Sequence, residues 1–186
     1  MTKVASTDFP VHEFIAKRWS PYGFDDRAVS QADLCSLLEA ARWAPSSYNE
    51  QPWSYIVATK DDPDGFAKLL SCLFEGNQEW AEAAPVLMLG CTSLYFSRNG
   101  KLNAAATHDL GLAASNLSLE ATARGLCVHQ MIGIEPDRVR ELYRVPEGVQ
   151  PLTGLAIGYA AATSQNIKES FDEQVNEKSG IDRWRG

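Results

Sequence analysis

The segment that most constrains the fold is a long run of small and apolar residues between Leu102 and Arg124. Its alanines and leucines favour an α-helix that is apolar on nearly every side, and such a helix should be buried all round. Small residues also let a second backbone approach closely. The segment therefore predicts the centre of either a single-domain core or a dimer.

The length and composition indicate one domain over residues 1–186. A chain of 186 residues with 45% hydrophobic residues can bury one substantial core. The stretch 161–186 is too poor in apolar residues to form a core of its own. A net charge of −7 argues against nucleic acid or an anionic membrane as the main partner. No apolar run approaches the roughly 18 to 20 residues of a membrane span, so we expect a cytoplasmic protein without a membrane partner.

The four cysteines are scattered singly, without a Cys-x-x-Cys pair or histidines at metal spacing. We therefore expect no metal site, and we expect reduced thiols in the core at Cys35, Cys72, Cys91 and Cys127.

Four short segments are typical of β-strands because they are rich in β-branched, aromatic or other apolar residues. The most apolar of them is Pro85–Cys91, which favours a strand buried on both faces. The four predicted strands are Ser54–Thr59, Pro85–Cys91, Leu126–Gly133 and Leu152–Ala160.

A polar loop lies between the first long helix and the first of these strands, from Arg42 to Trp53. Pro45 cannot continue the preceding helix, and Pro52 disfavours helical backbone at Gln51. Two serines and two carboxamides lie between the prolines. By itself, such a segment is typical of an exposed connection.

This loop resembles the signature of the nitroreductase family, Ala-Arg-x-Ala-Pro-Ser-x-x-Asn-x-Gln-Pro-Trp. The matching positions are Ala41, Arg42, Ala44, Pro45, Ser46, Asn49, Gln51, Pro52 and Trp53. The resemblance implies an α+β fold with a mixed central sheet of about four strands flanked by helices. It also implies a homodimer that binds FMN between subunits, with 161–186 as a tail that embraces the partner.

A second motif resembles the family's opening Arg-x-Ser segment, which is followed by a Phe. In the family the Arg and the Ser contact the FMN phosphate, ribityl chain and ring edge. Arg18, Ser20 and Phe24 match it, whereas Tyr22 replaces the usual cation. The pattern Asp-x-Gly-x-Ala-x-x-Asn-Leu, which begins at Asp109, is also similar to the family.

The resemblance implies a set of cofactor contacts that comes from several separate segments. We expect one subunit to supply Arg18, Ser20, Gly133 and Lys168, while the polar loop reaches across from the other. Asn77 fits a flavin contact or an ordinary helix cap equally well. Lys168 stands where Arg is more usual and cannot make a bidentate phosphate contact. The full predicted set is Arg18, Trp19, Ser20, Pro45, Ser46, Ser47, Asn49, Gln51, Asn77, Met131, Gly133 and Lys168.

The predicted substrate pocket is less specific. Tyr95 and Phe96 lie where the family varies its substrate lid, although aromatic pairs in loops also serve packing alone. His108 either lines the pocket mouth or is a helix-surface histidine.

The resemblance further implies a ping-pong reaction in which NADH or NADPH reduces the flavin and leaves. A nitroaromatic, quinone or similar small electrophile then takes the electrons. The sequence indicates no catalytic side chain, because the flavin carries the chemistry. The alternatives are another reduced-flavin reaction, such as dehalogenation or flavin cleavage, and an FMN-binding protein without turnover.

Overall fold

The structure, a computed structural model, describes residues 4–162. Lys168 and most of the predicted tail therefore lie outside the described residues. Within residues 4–162 the helices are α1 (Glu13–Lys17), α2 (Gln31–Arg42), α3 (Pro63–Leu70), α4 (Glu75–Ala81), α5 (Ala106–Ala123) and α6 (Pro136–Tyr143). The strands are β1 (Trp53–Thr59), β2 (Val86–Ser93), β3 (Cys127–Met131) and β4 (Val149–Gly158).

The four strands form one sheet in the order β1-β2-β4-β3, so all four predicted strands are confirmed. The predicted mixed sheet is wrong, because all three strand pairings are antiparallel. The apolar run in β2 has another physical cause. Both faces of this central strand are covered by helices, which requires apolar residues at every position whatever the strand direction.

The core consists of two clusters, one on each face of the sheet. Leu87 and Leu89 of β2 pack with residues of α3 and α4 in one cluster. Val86 and Met88 pack with residues of α2 and α5 in the other. Successive residues of a strand point to opposite faces, so β2 serves both clusters and the fold has three layers.

Helix α5 departs from the expectation of burial all round. One side is buried in the core through residues such as Leu110 and Leu117. The other side is exposed in the chain, at Thr107, His108, Gly111 and Ser115. The small residues of this helix therefore do not all belong to the core of one chain.

The four cysteines also differ in burial. Cys72 and Cys91 are buried and Cys127 is half-buried, but Cys35 is exposed, so the prediction of a core position is wrong for Cys35. Cys35 lies on the side of α2 that faces away from the sheet, whereas Leu37 of the same helix is fully buried. None of the helices between residues 4 and 162 is long and apolar enough to cross a membrane.

Candidate functional site

The polar loop between α2 and β1 holds an unusual backbone conformation. Helix α2 ends at Arg42, a single 3-10 turn spans Ser47–Asn49, and β1 begins at Trp53. Tyr48, Asn49 and Gln51 have φ angles of 54°, 56° and 50°. Left-handed backbone of this kind is unfavourable for residues other than glycine and persists only where surrounding contacts fix it.

Three hydrogen bonds fix the loop from within and from α5. The buried Asp109 carboxylate accepts the Ser47 N–H at 3.0 Å, and this side chain is only 2% exposed. The Ser46 hydroxyl accepts the Gln51 N–H at 3.0 Å. The Gln51 side-chain amide donates to the Asn49 carbonyl at 3.2 Å. The side chains of Ser46 and Gln51 therefore shape the loop itself.

Asn49 is the member of the loop whose side chain is left available. Its carboxamide is exposed and hydrogen-bonds to no residue between 4 and 162. Pro45 is exposed as well. The structure thus presents a free carboxamide on a loop whose backbone is fixed.

The loop between β2 and α5 packs against the other side of this turn. The Glu50 carboxylate accepts the Ser97 N–H at 2.6 Å. Hydrogen bonds from the backbone and side chain of Ser97 hold the pKa of Glu50 below its ordinary value. The Phe96 ring meets the Tyr48 ring edge-on, with centroids 5.7 Å apart. The two loops therefore form one surface.

The three predicted pocket residues lie differently on that surface. Phe96 contacts the polar loop directly. Tyr95 is half exposed and borders Gly148, at whose position a Cβ would come within 3.2 Å of the tyrosine ring. His108 is exposed in the first turn of α5, one residue before Asp109. Both readings of His108 are compatible with this position.

A second group of predicted contacts lies near β3, at the opposite edge of the sheet. The Asn77 side-chain amide donates to the Gly133 carbonyl at 3.0 Å. A Cβ at position 133 would lie 2.4 Å from that amide nitrogen, so only glycine permits the contact. Asn77 is the third residue of α4, whose N-cap is Phe74, and so the helix-cap reading of Asn77 is wrong.

Met131 and Ile132 precede Gly133 but face different surroundings. The Met131 side chain is buried in the core, where its neighbours include Leu73 and Ile134. The Ile132 side chain is 81% exposed. A ligand at this edge would therefore meet the backbone at Met131 and the side chain of Ile132, which sequence reasoning did not single out.

The segment from Arg18 to Ser20 approaches the same edge. The Pro21 carbonyl lies 3.0 Å from Nδ1 of His129 in β3. The Arg18 guanidinium is exposed and donates to the Ser20 hydroxyl at 3.3 Å. Trp19 instead lines a cavity of about 500 Å3 between α1, the end of α5 and the end of β4. Arg18 and Ser20 do not line that cavity, so the side chain of Trp19 has different surroundings from those of its two neighbours.

One chain does not bring the two groups together. The polar loop leads into β1 and the Asn77–Gly133 contact follows β3, and these strands are at opposite edges of the sheet. Three strand spacings separate them, or about 14 Å.

The role of Asp109 was not found from the sequence. Its side chain contacts a residue 62 positions earlier in the chain. The sequence pattern that begins at Asp109 is similar to the family, but it does not indicate which residue the carboxylate contacts.

Comparison with known proteins places the chain in a family. The model of the nitroreductase family matches residues 15–159. The crystal structure of an oxidoreductase containing FMN is similar, with a TM-score of 0.81 and 34% identity, covering 86% of this chain and 81% of that chain.

Two curated relatives are also similar. An FMN reductase (NADPH) of Bacillus subtilis is 28% identical over 169 residues, which are 82% of this chain and 66% of the relative. The chain thus spans just under two thirds of that reductase. A putative NADH dehydrogenase/NAD(P)H nitroreductase of Methanothermobacter thermautotrophicus is 29% identical over 189 residues, covering 98% of this chain and 91% of the relative. The family match extends over most of the chain and includes both groups of residues described above, and the protein therefore belongs to the nitroreductase family.

Proposed function

We propose that this member of the nitroreductase family, an FMN-dependent NAD(P)H oxidoreductase, reduces nitroaromatics, quinones or similar small electrophiles by a ping-pong mechanism. The observation that carries the proposal is the strained polar loop, fixed by Asp109 while it leaves the Asn49 carboxamide free. Strain of this kind is typical of ligand-binding segments. The names of the relatives support the donor and the cofactor.

The described residues fit FMN. Arg18 offers an exposed guanidinium for a phosphate, and Ser20 offers a hydroxyl beside it. Asn49 offers a carboxamide that can hydrogen-bond to the polar edge of a flavin. Gly133 leaves room for the Asn77 amide, which donates to its carbonyl and fixes the backbone that follows β3. Lys168 keeps its predicted phosphate role as part of the proposal.

The site is proposed to form between two copies of the chain. The two groups of contacts lie at opposite edges of one sheet. The exposed side of α5 carries small residues that allow close approach of a second helix, at Thr107, Gly111 and Ser115.

Bound FMN would supply the redox chemistry, accepting hydride from the nicotinamide and passing electrons to the acceptor. The chain's own part is to hold the cofactor, orient both substrates in turn and exclude water. Among residues 4–162 we assign no side chain as an acid or base. Because donor and acceptor use one site in succession, double-reciprocal plots of initial rate against donor concentration should give parallel lines at different acceptor concentrations.

The test is the visible spectrum of the protein after incubation with FMN and desalting, followed by anaerobic NADH and then NADPH. Retained flavin bands that bleach support the proposal. Bands that do not bleach support an FMN-binding protein without turnover, and absent bands contradict the proposal. Bleaching without reoxidation by nitroaromatics or quinones directs the search to another reduced-flavin reaction.

Variants of two exposed cations make the assignment residue-specific. Arg18→Gln should weaken FMN binding about 10- to 150-fold, the equivalent of about 1.5 to 3 kcal/mol for one hydrogen bond to a charged group. Lys60→Gln removes the same charge just beyond the far end of β1 and should leave FMN affinity unchanged. Equal affinities for both variants would rule out Arg18 as the phosphate ligand.

A further inference from the structure

We propose that Arg98 makes the site select anionic substrates over neutral ones. This inference rests on the proposed function and concerns the surface formed by the polar loop and the β2–α5 loop. The Arg98 guanidinium lies 3.9 Å from the centre of the Tyr48 ring and 5.1 Å from that of Phe96. Tyr48 is the residue between Ser47 and Asn49, so this cation is placed beside the proposed flavin contacts.

The cation is held in place by its surroundings. Tyr48 and Phe96 support one another edge-on, and the Arg98 guanidinium lies over the Tyr48 ring. The neighbouring backbone is fixed because Ser97 donates its N–H to Glu50. A guanidinium that is already ordered loses less entropy when it binds a ligand.

The charge of Arg98 is also available. Its side chain donates no hydrogen bond to any residue between 4 and 162, and no carboxylate of those residues lies within 4.0 Å. Glu50 is near enough to interact electrostatically but gives its oxygen to Ser97 instead. The tyrosine ring covers a face of the guanidinium, and the N–H groups at its edge can still bind an oxyanion.

The rest of the protein makes this local charge informative. The chain carries a net charge of −7 and therefore repels anions at long range. At physiological salt, charges more than about 10 Å from the site are largely screened. An arginine at the site therefore acts on a bound ligand more strongly than the distant acidic residues do. The ligand chemistry that it fits is an oxyanion on a planar substrate. Two sources qualify, an acceptor with an aromatic carboxylate and the 2′-phosphate of NADPH.

The experiment compares Arg98→Gln with Arg98→Lys and with the matched control Lys101→Gln. Lys101 is exposed on the same loop, and no ring contact of its side chain occurs among the described residues. The acceptor arm measures 4-nitrobenzoate against neutral 4-nitrobenzamide with the NADH-reduced protein. The donor arm measures the rate of flavin bleaching by NADPH against NADH. A readout without turnover is the affinity of the oxidised protein for benzoate against benzamide, followed by flavin absorption.

We expect Arg98→Gln to lower kcat/KM for 4-nitrobenzoate, and the affinity for benzoate, about 3- to 10-fold, as for one partly exposed ionic contact. The neutral analogues should change by less than about twofold, Arg98→Lys should keep part of the preference, and Lys101→Gln should behave as wild type. A loss confined to NADPH against NADH supports the same anion site and assigns it to the donor's phosphate.

Other outcomes overturn the inference. Equal losses for charged and neutral analogues would show that Arg98 supports the loop and does not select charge. Equal effects of Arg98→Gln and Lys101→Gln would show a diffuse field. These failures appear only when variants of an active protein are compared. A wild-type protein that binds no FMN, or is not reduced, contradicts the proposed function itself and this inference with it.

Discussion

Removal of the Asp109 side chain should release the polar loop and weaken FMN binding. Asp109 is buried in the first turn of α5 and accepts the Ser47 N–H at 3.0 Å. The Asp109→Ala variant leaves that N–H without its acceptor. The residues that follow, Tyr48 to Gln51, then lose the contact that ties the loop to the core.

The magnitude follows from two opposing energies. A hydrogen bond to a charged acceptor contributes about 1.5 to 3 kcal/mol. Left-handed backbone costs roughly 1 to 2 kcal/mol for each ordinary residue, so Tyr48 and Gln51 together cost about 2 to 4 kcal/mol. The contact and the strain are therefore similar in size. Loss of Asp109 removes about 1.5 to 3 kcal/mol from the contacts that oppose this strain, and FMN affinity should fall by up to about 10- to 150-fold.

The assay is titration of FMN fluorescence together with the thermal midpoint of the apoprotein. Asp109→Asn retains an acceptor oxygen without the charge and should lose only about fivefold, or about 1 kcal/mol. Thr122→Ala removes a polar group from the same helix, about 20 Å further along at 1.5 Å per residue, and should bind FMN as wild type. Wild-type FMN affinity in a folded Asp109→Ala protein would refute the reasoning.

Three further predictions concern other parts of the chain. Gly133→Ala places a Cβ 2.4 Å from the amide that donates to its carbonyl, so it should lower both thermal midpoint and FMN affinity, whereas Gly76→Ala, which meets nothing within 4 Å, should lower neither. Burial raises the pKa of Cys91 to about 11 from 9.0, so the free energy of unfolding should fall between pH 9 and 11, where the thiol ionises in the unfolded chain first. At neutral pH a disulfide reagent should modify the exposed Cys35 before the buried Cys91. Hydrogen bonds from neighbouring side chains lower the pKa of Glu39 to about 2 from 4.5, so the stability they contribute should disappear as pH falls through that window, and Glu39→Gln should flatten that part of a pH–denaturation profile.

The order of elements could be predicted because it depends on local patterns. Ser30 caps α2 by accepting the Asp33 N–H at 3.0 Å, and Pro45 stands beyond the end of that helix. Strand direction could not be predicted in the same way. A central strand such as β2 is apolar on both faces whenever helices cover both faces, so the pattern does not distinguish parallel from antiparallel neighbours.

The surroundings of α5 show a second limit. Small residues at Gly111 and Ser115 look the same in sequence as Ala113 and Ala114, although the first pair is exposed and the second is buried. Both settings reward a small side chain that allows close approach. The sequence therefore identifies positions where another backbone segment packs closely. It does not show whether that segment belongs to the same chain or to another copy.

The polar loop shows why its residues, but not its geometry, could be predicted. Its composition indicated a turn, and Asn49 is a residue type that tolerates left-handed backbone. Tyr48 does not have that tolerance, and its φ of 54° has no local cause in the sequence. The cause lies in Asp109 and Ser97, each more than 40 residues away. Because one of these contacts comes from α5 and the other from the loop that leads into it, the shape of the polar loop depends on the same helix whose exposed side is proposed to meet the partner. Cofactor binding and dimerisation are thus expected to depend on one shared structural element.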